Sequence, residues 1–545
     1  MAGLQLSDSA EMSLKVKDQL QKRVLPSSLP ALILSAACLL PYLSKPFTID
    51  DPLFLQEAQH IRVSPLHPML TQICWNIDNS CGPLAGTAPN NLLMSYLLVP
   101  VVASGAHEWL AHLMQILILG AGIIATVSLA FRFGFNTFGA CAAGLILAAS
   151  PPVLAMASTA MPDVLAMSLG VIGVERLIAW RQQGKSIDGV FCALALGLAG
   201  FARLHMVLLW ACCVVLLRDN GRILNVKGWL ALKTRWWPLA GSALICGIAL
   251  VLTREPGSTA GPSQHWVSAS FVRLNIWSYF FYWTLAMPLG LAWLVLRNRR
   301  MNLLALVPFC GFAIWKILTH PFPNVWKTLC FALGALVLVD IFLWAFQTLE
   351  QRRLFCALWL LIPLAALEYV HLPVKYLVPC APAVALLVVD VLQTARWRNA
   401  TLGVIVAAEV IWGSMVLQAD AKFAEMGRDA AARLIKPHVA AGERVWFASQ
   451  WGFQWYALKA GARPLWTNQM PARGDYLARG EIEGYTETLK RLPPATLVET
   501  YTVAGPGGRT MSRKDNAGLY SNASGQLMWA WGTDTWNRYE LWRFH

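Results

Sequence analysis

Apolar residues come in long runs, and short clusters of basic residues punctuate them. The first run, 28–43, follows a polar N-terminal segment, 1–27, that carries Lys15, Lys17, Lys22 and Arg23. Further runs fall at about 109–131, 137–154, 163–180, 188–202, 205–217, 237–253, 276–296, 302–318, 327–346, 354–370, 376–394 and 400–418. Runs of roughly 20 apolar residues are long enough to cross a hydrocarbon core of about 30 Å. The pattern predicts about thirteen membrane spans. Between the first two lies a long polar loop, 44–108, whose stretch 91–103 is too short for a span and reads as an interfacial helix. Beyond 418 the pattern changes. Residues 445–449 and 540–544 read as strands, 453–459 as a helix and 505–525 as a loop. The tail 419–545 is therefore expected to be a small α/β domain.

Composition sharpens this picture. The chain has 545 residues, of which 56% are hydrophobic and 14% charged. Soluble chains carry about 25% charged residues, so a set of soluble domains is excluded, as are disordered and disulfide-scaffold classes. The net charge of +14 would suit a nucleic-acid partner if it formed one surface. Instead the cations sit in the short loops between apolar runs, where the positive-inside rule places them, and a nucleic-acid partner is excluded. With the N-terminus inside, Arg132, Arg181, Lys185, Arg222, Lys227, Lys233, Arg297, Arg299, Arg300, Arg352, Arg353, Arg396 and Arg398 all fall on the cytoplasmic side. An odd number of spans then puts the C-terminal domain on the opposite face. The first run lacks a small-residue cleavage site and reads as a signal anchor. No internal repeat is evident. Ten of the twelve cysteines lie in or beside apolar runs as small core residues; Cys74 and Cys81, in the first loop, are placed to form a disulfide if that loop is periplasmic.

The charges outside that scheme are the candidates for chemistry. Asp50 and Asp51 open the first external loop, ahead of a helix predicted over 52–61 that Asp51 is placed to cap. They suit a general base or a metal ligand, or they serve only the helix. Asp163, in Thr159-Ala160-Met161-Pro162-Asp163, stands at the external mouth of a span, facing a cavity or capping the helix. Arg203 and His205 interrupt the apolar stretch 190–217, so Arg203 needs an anion: a phosphate, or Asp163 or Asp51. Lys375 and Tyr376 begin a late span and serve either as site residues or as interfacial anchors. His60 and His67 could join Asp50 or Asp51 around a divalent metal, or lie on the surface. The cluster Trp451-Gly452-Phe453-Gln454-Trp455-Tyr456 suits a sugar ring or a small-domain core.

In this order these pieces resemble a family: the polyprenyl-phosphate-dependent glycosyltransferases of the GT-C class, in the bacterial protein-mannosyltransferase-like branch that includes the aminoarabinose transferase of lipid A. Asp50-Asp51, with Phe54 and residues 56–58 following, is similar to the family's acidic pair. Asp163 is similar to its second acid, and Lys375-Tyr376-Leu377-Val378-Pro379 to its late motif, with Lys where Arg is usual. Arg203 stands where a Lys is common. Where members often have a basic residue followed by two prolines, this chain has Ala88-Pro89-Asn90-Asn91-Leu92, which leaves the phosphate to Arg203 or Lys375.

The resemblance implies a polytopic GT-C-like transmembrane domain, 28–418, with a periplasmic domain, 419–545, in a bacterial inner membrane. It implies a polyprenyl-phosphate-linked sugar donor and a lipid, protein or glycan acceptor. Asp50 would be the base, with Asp51 and Asp163 beside it. Arg203, His205, Lys375 and Tyr376 would bind substrate or phosphate. The competing classes are a lipid-linked sugar transporter or flippase, and a non-catalytic partner that binds lipid-linked sugar. The odd span count and the acidic pair's position in a loop weigh against transport.

Overall fold

The computed structural model describes residues 22–75, 80–87, 92–217, 235–254, 267–287, 289, 292, 293, 325–465, 469–481 and 492–545. The expected span 302–318, most of the basic loop 218–235 and residues 88–91 of the family comparison lie outside these.

Among the described residues, five helices are long and apolar enough to cross a membrane: Lys22–Tyr42, Glu108–Arg132, Trp326–Thr348, Val374–Leu392 and Arg398–Ala440. A sixth candidate is the pair Thr137–Ala149 and Pro151–Ala157, bent by 60° at Pro151-Pro152, where the prolines withhold backbone donors. The Asn136 side chain caps the first of the two by accepting from Gly139 N–H. The Asp163–Gln183 helix has 21 residues and ends at Gly184, whose φ of 69° supplies the left-handed closure.

Other expected spans are shorter or broken. Ser186–Ala202 has 17 residues, a rise of about 25 Å against a core of about 30 Å. Leu204–Leu217 and Trp237–Leu252 are also short. The expected span over 354–370 is not one helix. Gln351–Trp359 stops, a 3-10 turn Ile362–Ala366 carries Pro363 at its start, and the chain runs irregularly to Pro373. That break presents residues 367–373 at one end of the bundle. The short apolar stretch expected over 91–103 forms the helix Leu93–Ala103.

The bundle has two polar ends. At one, Arg132 pairs with Glu175, Arg176 with Glu175 and Asp188, and Arg352 and Arg353 with Asp390. At the other lie the starts of Asp51–Ile61, Asp163–Gln183 and Val374–Leu392, and the end of Ser186–Ala202. A small hairpin, β1 (Gln72–Trp75) and β2 (Ser80–Pro83), belongs to the first loop at this end.

The helix Arg398–Leu434 runs unbroken through the expected boundary at 418 and carries the chain into the C-terminal part. There β3 (Val445–Phe447), β4 (Arg463–Pro464), β5 (Tyr476–Gly480), β6 (Ala495–Val503) and β11 (Asn537–Phe544) form one mixed sheet in the order β4-β3-β5-β11-β6. β3 runs parallel to β4 and β5, and β11 antiparallel to β5 and β6. The helix Trp451–Lys459 links β3 to β4. The stretch 505–525 is more ordered than a loop: β7 (Gly507–Arg509) pairs with β10 (Ala530–Gly532), and β8 (Met511–Ser512) with β9 (Ala517–Gly518).

Candidate active site

The acid pair follows a strained residue. Ile49 has φ 47°, a region that β-branched residues avoid and that costs on the order of 1–3 kcal/mol. The turn sets the two carboxylates in different surroundings. Asp50, not Asp51, takes the N-cap position, Asp51 is the first helical residue, and Pro52 lies in the first turn. Neither side chain caps the helix. Asp51 reaches back to accept Thr48 N–H at 2.9 Å and across to accept Ala160 N–H at 2.7 Å. It is wholly buried, so both its oxygens are committed to fixing one backbone against another.

Asp50 instead accepts from Lys375 Nζ at 2.6 Å, and its side chain is 26% exposed against 3% for Lys375. Lys375 Nζ also lies 3.8 Å from Met161 Sδ. Two residues beyond Met161, Asp163 accepts from Arg203 Nη2 at 2.8 Å. This is one of the partners that the sequence left open to Arg203. The Tyr376 ring joins the two ion pairs. The Arg203 guanidinium lies over it at 5.4 Å, and His205 packs on it with ring centroids 5.4 Å apart. Asp50, Asp163, Arg203, His205, Lys375 and Tyr376 therefore meet although they come from four separate stretches of chain. Asp163 Oδ1, Arg203 Nε and His205 Nε2 are buried with no hydrogen-bond partner among the described residues. Buried polar atoms are rarely left so, and these three offer an acceptor and nitrogen sites within one cluster.

The electrostatics separate the two acids further. Burial pushes the Asp50 carboxyl up, but the Lys375 ammonium, with His371 and Arg203 nearby, more than offsets it and holds the group below the ordinary carboxylate range. For Asp51 burial wins over Lys45 and the two N–H donors, and the carboxyl is pushed up to about 7. Burial likewise pushes Glu57, which accepts from Ser95 Oγ at 2.5 Å, up to about 8. A carboxyl whose pKa is raised by folding stabilises the fold while protonated and loses that contribution as pH rises through the raised value. We therefore predict that thermal stability falls between about pH 4 and 8, the ordinary and the raised values of these two carboxyls, and that Glu57→Gln flattens the upper part of the decline. An unchanged slope in that variant would assign the decline to other groups.

Four features of this region were not singled out in the sequence as candidates. His371 faces Asp50 and Lys375 closely enough to feel their charges, and burial, with Lys375, lowers it to about 4. Tyr369 stacks near Tyr376, with centroids 6.3 Å apart. Lys45 and Asp420 form a fully buried ion pair at 2.5 Å. Lys45 also donates to the Ser158 carbonyl and hydroxyl at 3.0 and 3.1 Å. Asp420 accepts from Tyr520 Oη at 2.7 Å and Thr510 Oγ1 at 3.3 Å. The available signal was Lys45 itself, a cation outside the cytoplasmic clusters, and Asp420, a carboxylate just past the last apolar run.

The remaining candidates lie apart. His60 Nε2 meets the His67 carbonyl at 3.0 Å at an exposed position. Among the described residues no three His, Cys, Asp or Glu side chains converge as a metal set, so the residues described do not fit a metal centre built on His60 and His67, and no chemical step is assigned to a metal. Cys74 is disulfide-bonded and lies directly opposite Cys81 in the β1–β2 ladder. The aromatic cluster docks the C-terminal part onto the first loop. Trp455 packs edge-on against Phe47 at 5.9 Å. Tyr456 Oη accepts Phe47 N–H at 2.9 Å and donates to Glu108 at 2.9 Å. Gly452 is required there, since a Cβ would stand 2.5 Å from the Phe47 carbonyl oxygen.

We expect Asp51→Asn to act on the fold rather than the chemistry. An amide presents one oxygen where two are used, and leaving one buried N–H unpaired costs about 1–3 kcal/mol. The check is the unfolding temperature beside the rate: a variant of unchanged stability that had lost all activity would give Asp51 a direct chemical role.

No protein-family model matches the chain, and no curated protein matches it. Among solved structures, it is similar to ArnT from Cupriavidus metallidurans bound to undecaprenyl phosphate, at 15% identity and a TM-score of 0.45, over 88% of this chain and 96% of that one. It is also similar to the apo oligosaccharyltransferase of Archaeoglobus fulgidus, at 11% identity and a TM-score of 0.45, over 81% of this chain and 64% of that one. The same archaeal enzyme in complex with Zn and sulfate matches at 12% identity and a TM-score of 0.40, over 80% of this chain and 62% of that one.

Proposed function

We propose that this protein is a membrane glycosyltransferase that moves a sugar from a polyprenyl-phosphate donor to a lipid, protein or glycan acceptor on the extracytoplasmic face of a bacterial inner membrane. The observation that carries the proposal is the convergence of Asp50–Lys375 and Asp163–Arg203 around Tyr376 at one end of an apolar bundle. Transfer of this kind needs a base beside the acceptor and cations beside the departing phosphate, close to lipid. The cluster supplies these groups.

In this reading the acceptor hydroxyl or amine attacks the anomeric carbon and gives its proton to Asp50. The bond from that carbon to the phosphate oxygen breaks on the opposite face, and its electron pair leaves with the lipid phosphate. Arg203 and Lys375 stabilise the charge that develops there. An arriving phosphate competes with Asp50 for the Lys375 ammonium, so donor binding frees the carboxylate to act. Asp163, with one oxygen unpaired among the described residues, holds sugar or acceptor hydroxyls, and His205 and Tyr376 line the phosphate side. Asp51 orients Asp50 through the backbone. The reactive groups lie at helix ends rather than midway along spans, which favours this reading over a transporter path.

Mass analysis of envelope glycans tests it in cells. Deletion of the gene, and replacement by Asp50→Asn, should remove the same sugar from one lipid, protein or polysaccharide. An envelope unchanged in both strains would contradict the proposal.

A further inference from the structure

The C-terminal part is more than a cap on the bundle: one short segment of it touches the supports of both charged pairs. Residues 519–522 run Leu519-Tyr520-Ser521-Asn522, with Leu519, Tyr520 and Asn522 at most 3% exposed. On one side Tyr520 Oη donates to Asp420 at 2.7 Å. Asp420 holds Lys45, and Lys45 holds the Ser158 carbonyl. That places the hydroxyl at the head of a chain joining the segment of the acid pair, 45–51, to the segment 158–163 that ends in Asp163. Asp51 closes the same loop through Thr48 and Ala160. On the other side the Asn522 amide donates to Asn275 Oδ1 at 2.8 Å and Ser278 Oγ at 2.9 Å, and accepts Leu372 N–H at 3.1 Å. Asn275 in turn donates to the carbonyls of Leu367 and Tyr369 at 2.9 and 2.6 Å. The backbone so held, 367–372, carries Tyr369 and His371 and leads directly into Lys375 and Tyr376.

We propose that Tyr520 and Asn522 are positioning residues: a two-pronged clamp from the C-terminal part that fixes the segments bearing Asp50 and Asp163 relative to the segment bearing Lys375 and Tyr376. The two prongs are two residues apart in sequence, and the groups they fix are more than 200 apart. Both prongs are buried polar side chains whose hydrogen bonds are made across elements, so each transmits position rather than merely filling space. Each group can therefore be removed with little change in volume: Tyr520→Phe deletes one hydroxyl, and Asn522→Leu deletes the amide donors and acceptor.

Hydrogen exchange on the full-length protein in lipid nanodiscs tests the clamp without reference to catalysis. Tyr520→Phe should speed exchange in 45–51 and 158–163, and Asn522→Leu in 367–373, each leaving the opposite segment as in the unaltered protein. The exposed Trp531→Ala, in the same part of the chain, should change neither. Unchanged exchange in all these segments, or a rise spread over the whole chain, would overturn the clamp. The kinetic arm rests on the glycosyltransferase reading. In a transfer assay with a polyprenyl-phosphate sugar, Tyr520→Phe should lower kcat by about 10- to 100-fold with little change in KM, the signature of misplaced rather than unbound reactants. Parent protein that lacks transfer yet shows the segment-specific exchange would sink the functional reading and keep the clamp. Full kcat in both variants would overturn the clamp's role in positioning.

Discussion

Asp50→Asn is expected to lower transfer by roughly 10²- to 10⁴-fold, the usual loss when a positioned base is removed. The substitution is mild for the fold. The Asn oxygen can still accept from Lys375 Nζ, and the Asp50 side chain is already 26% exposed. Expression, membrane topology and unfolding temperature should stay near those of the parent, and full activity in the variant would remove Asp50 from the chemistry. The pH profile gives an independent reading of the same group. Because Lys375, His371 and Arg203 outweigh burial, the ionised base persists into acid, and the acid limb of kcat/KM should lie below the ordinary carboxylate range of about 4. Lys375→Gln removes the largest of those opposing influences, burial then dominates, and the limb should move to higher pH. A limb that stays in place would belong to a different group.

The second large effect is on stability. Lys45→Met leaves Asp420 as a buried carboxylate without its cation, and breaking such a pair from one side costs about 3–5 kcal/mol. The pair is fully enclosed, so water cannot take over the lost contacts. Lys45→Met with Asp420→Leu should recover part of the loss, since both charges then leave together, but not all, because Ser158, Tyr520 and Thr510 each lose a partner. Unfolding temperatures of the two variants beside the parent decide this. If the single and double variants fell equally, the ion pair would not be the source of the loss.

Much of this arrangement was legible in the sequence because scarce charge marks position in an apolar chain. Asp50, Asp163, Arg203, His205, Lys375 and Tyr376 stood out as polar residues beside apolar runs, and they meet in the fold. Their pairing was not legible. Spacing left Arg203 open to Asp163, Asp51 or a phosphate, and could not separate Asp50 from Asp51, since the distinction lies in the backbone at Ile49 and in the Ala160 N–H. The break at Pro363 was also hidden, because residues 354–370 keep an apolar pattern through a segment that does not continue as a helix. The hub of Lys45, Ser158, Asp420 and Tyr520 joins positions up to 475 residues apart by number, and no local pattern encodes such a meeting. In the C-terminal part, β11 was visible from its alternation. The short β7–β10 and β8–β9 ladders were not, because pairs of two or three residues carry no period.

In the proposed reaction the cluster around Tyr376 breaks a sugar–phosphate bond and makes a glycosidic one. The most direct measurement supplies purified protein in lipid vesicles with a polyprenyl-phosphate sugar radiolabelled on the sugar, together with an envelope extract as acceptor. Free polyprenyl phosphate should be released in step with label appearing in a glycosylated product, both lost in Asp50→Asn. Label that crosses the bilayer still joined to its lipid, with no bond cleaved, would contradict it.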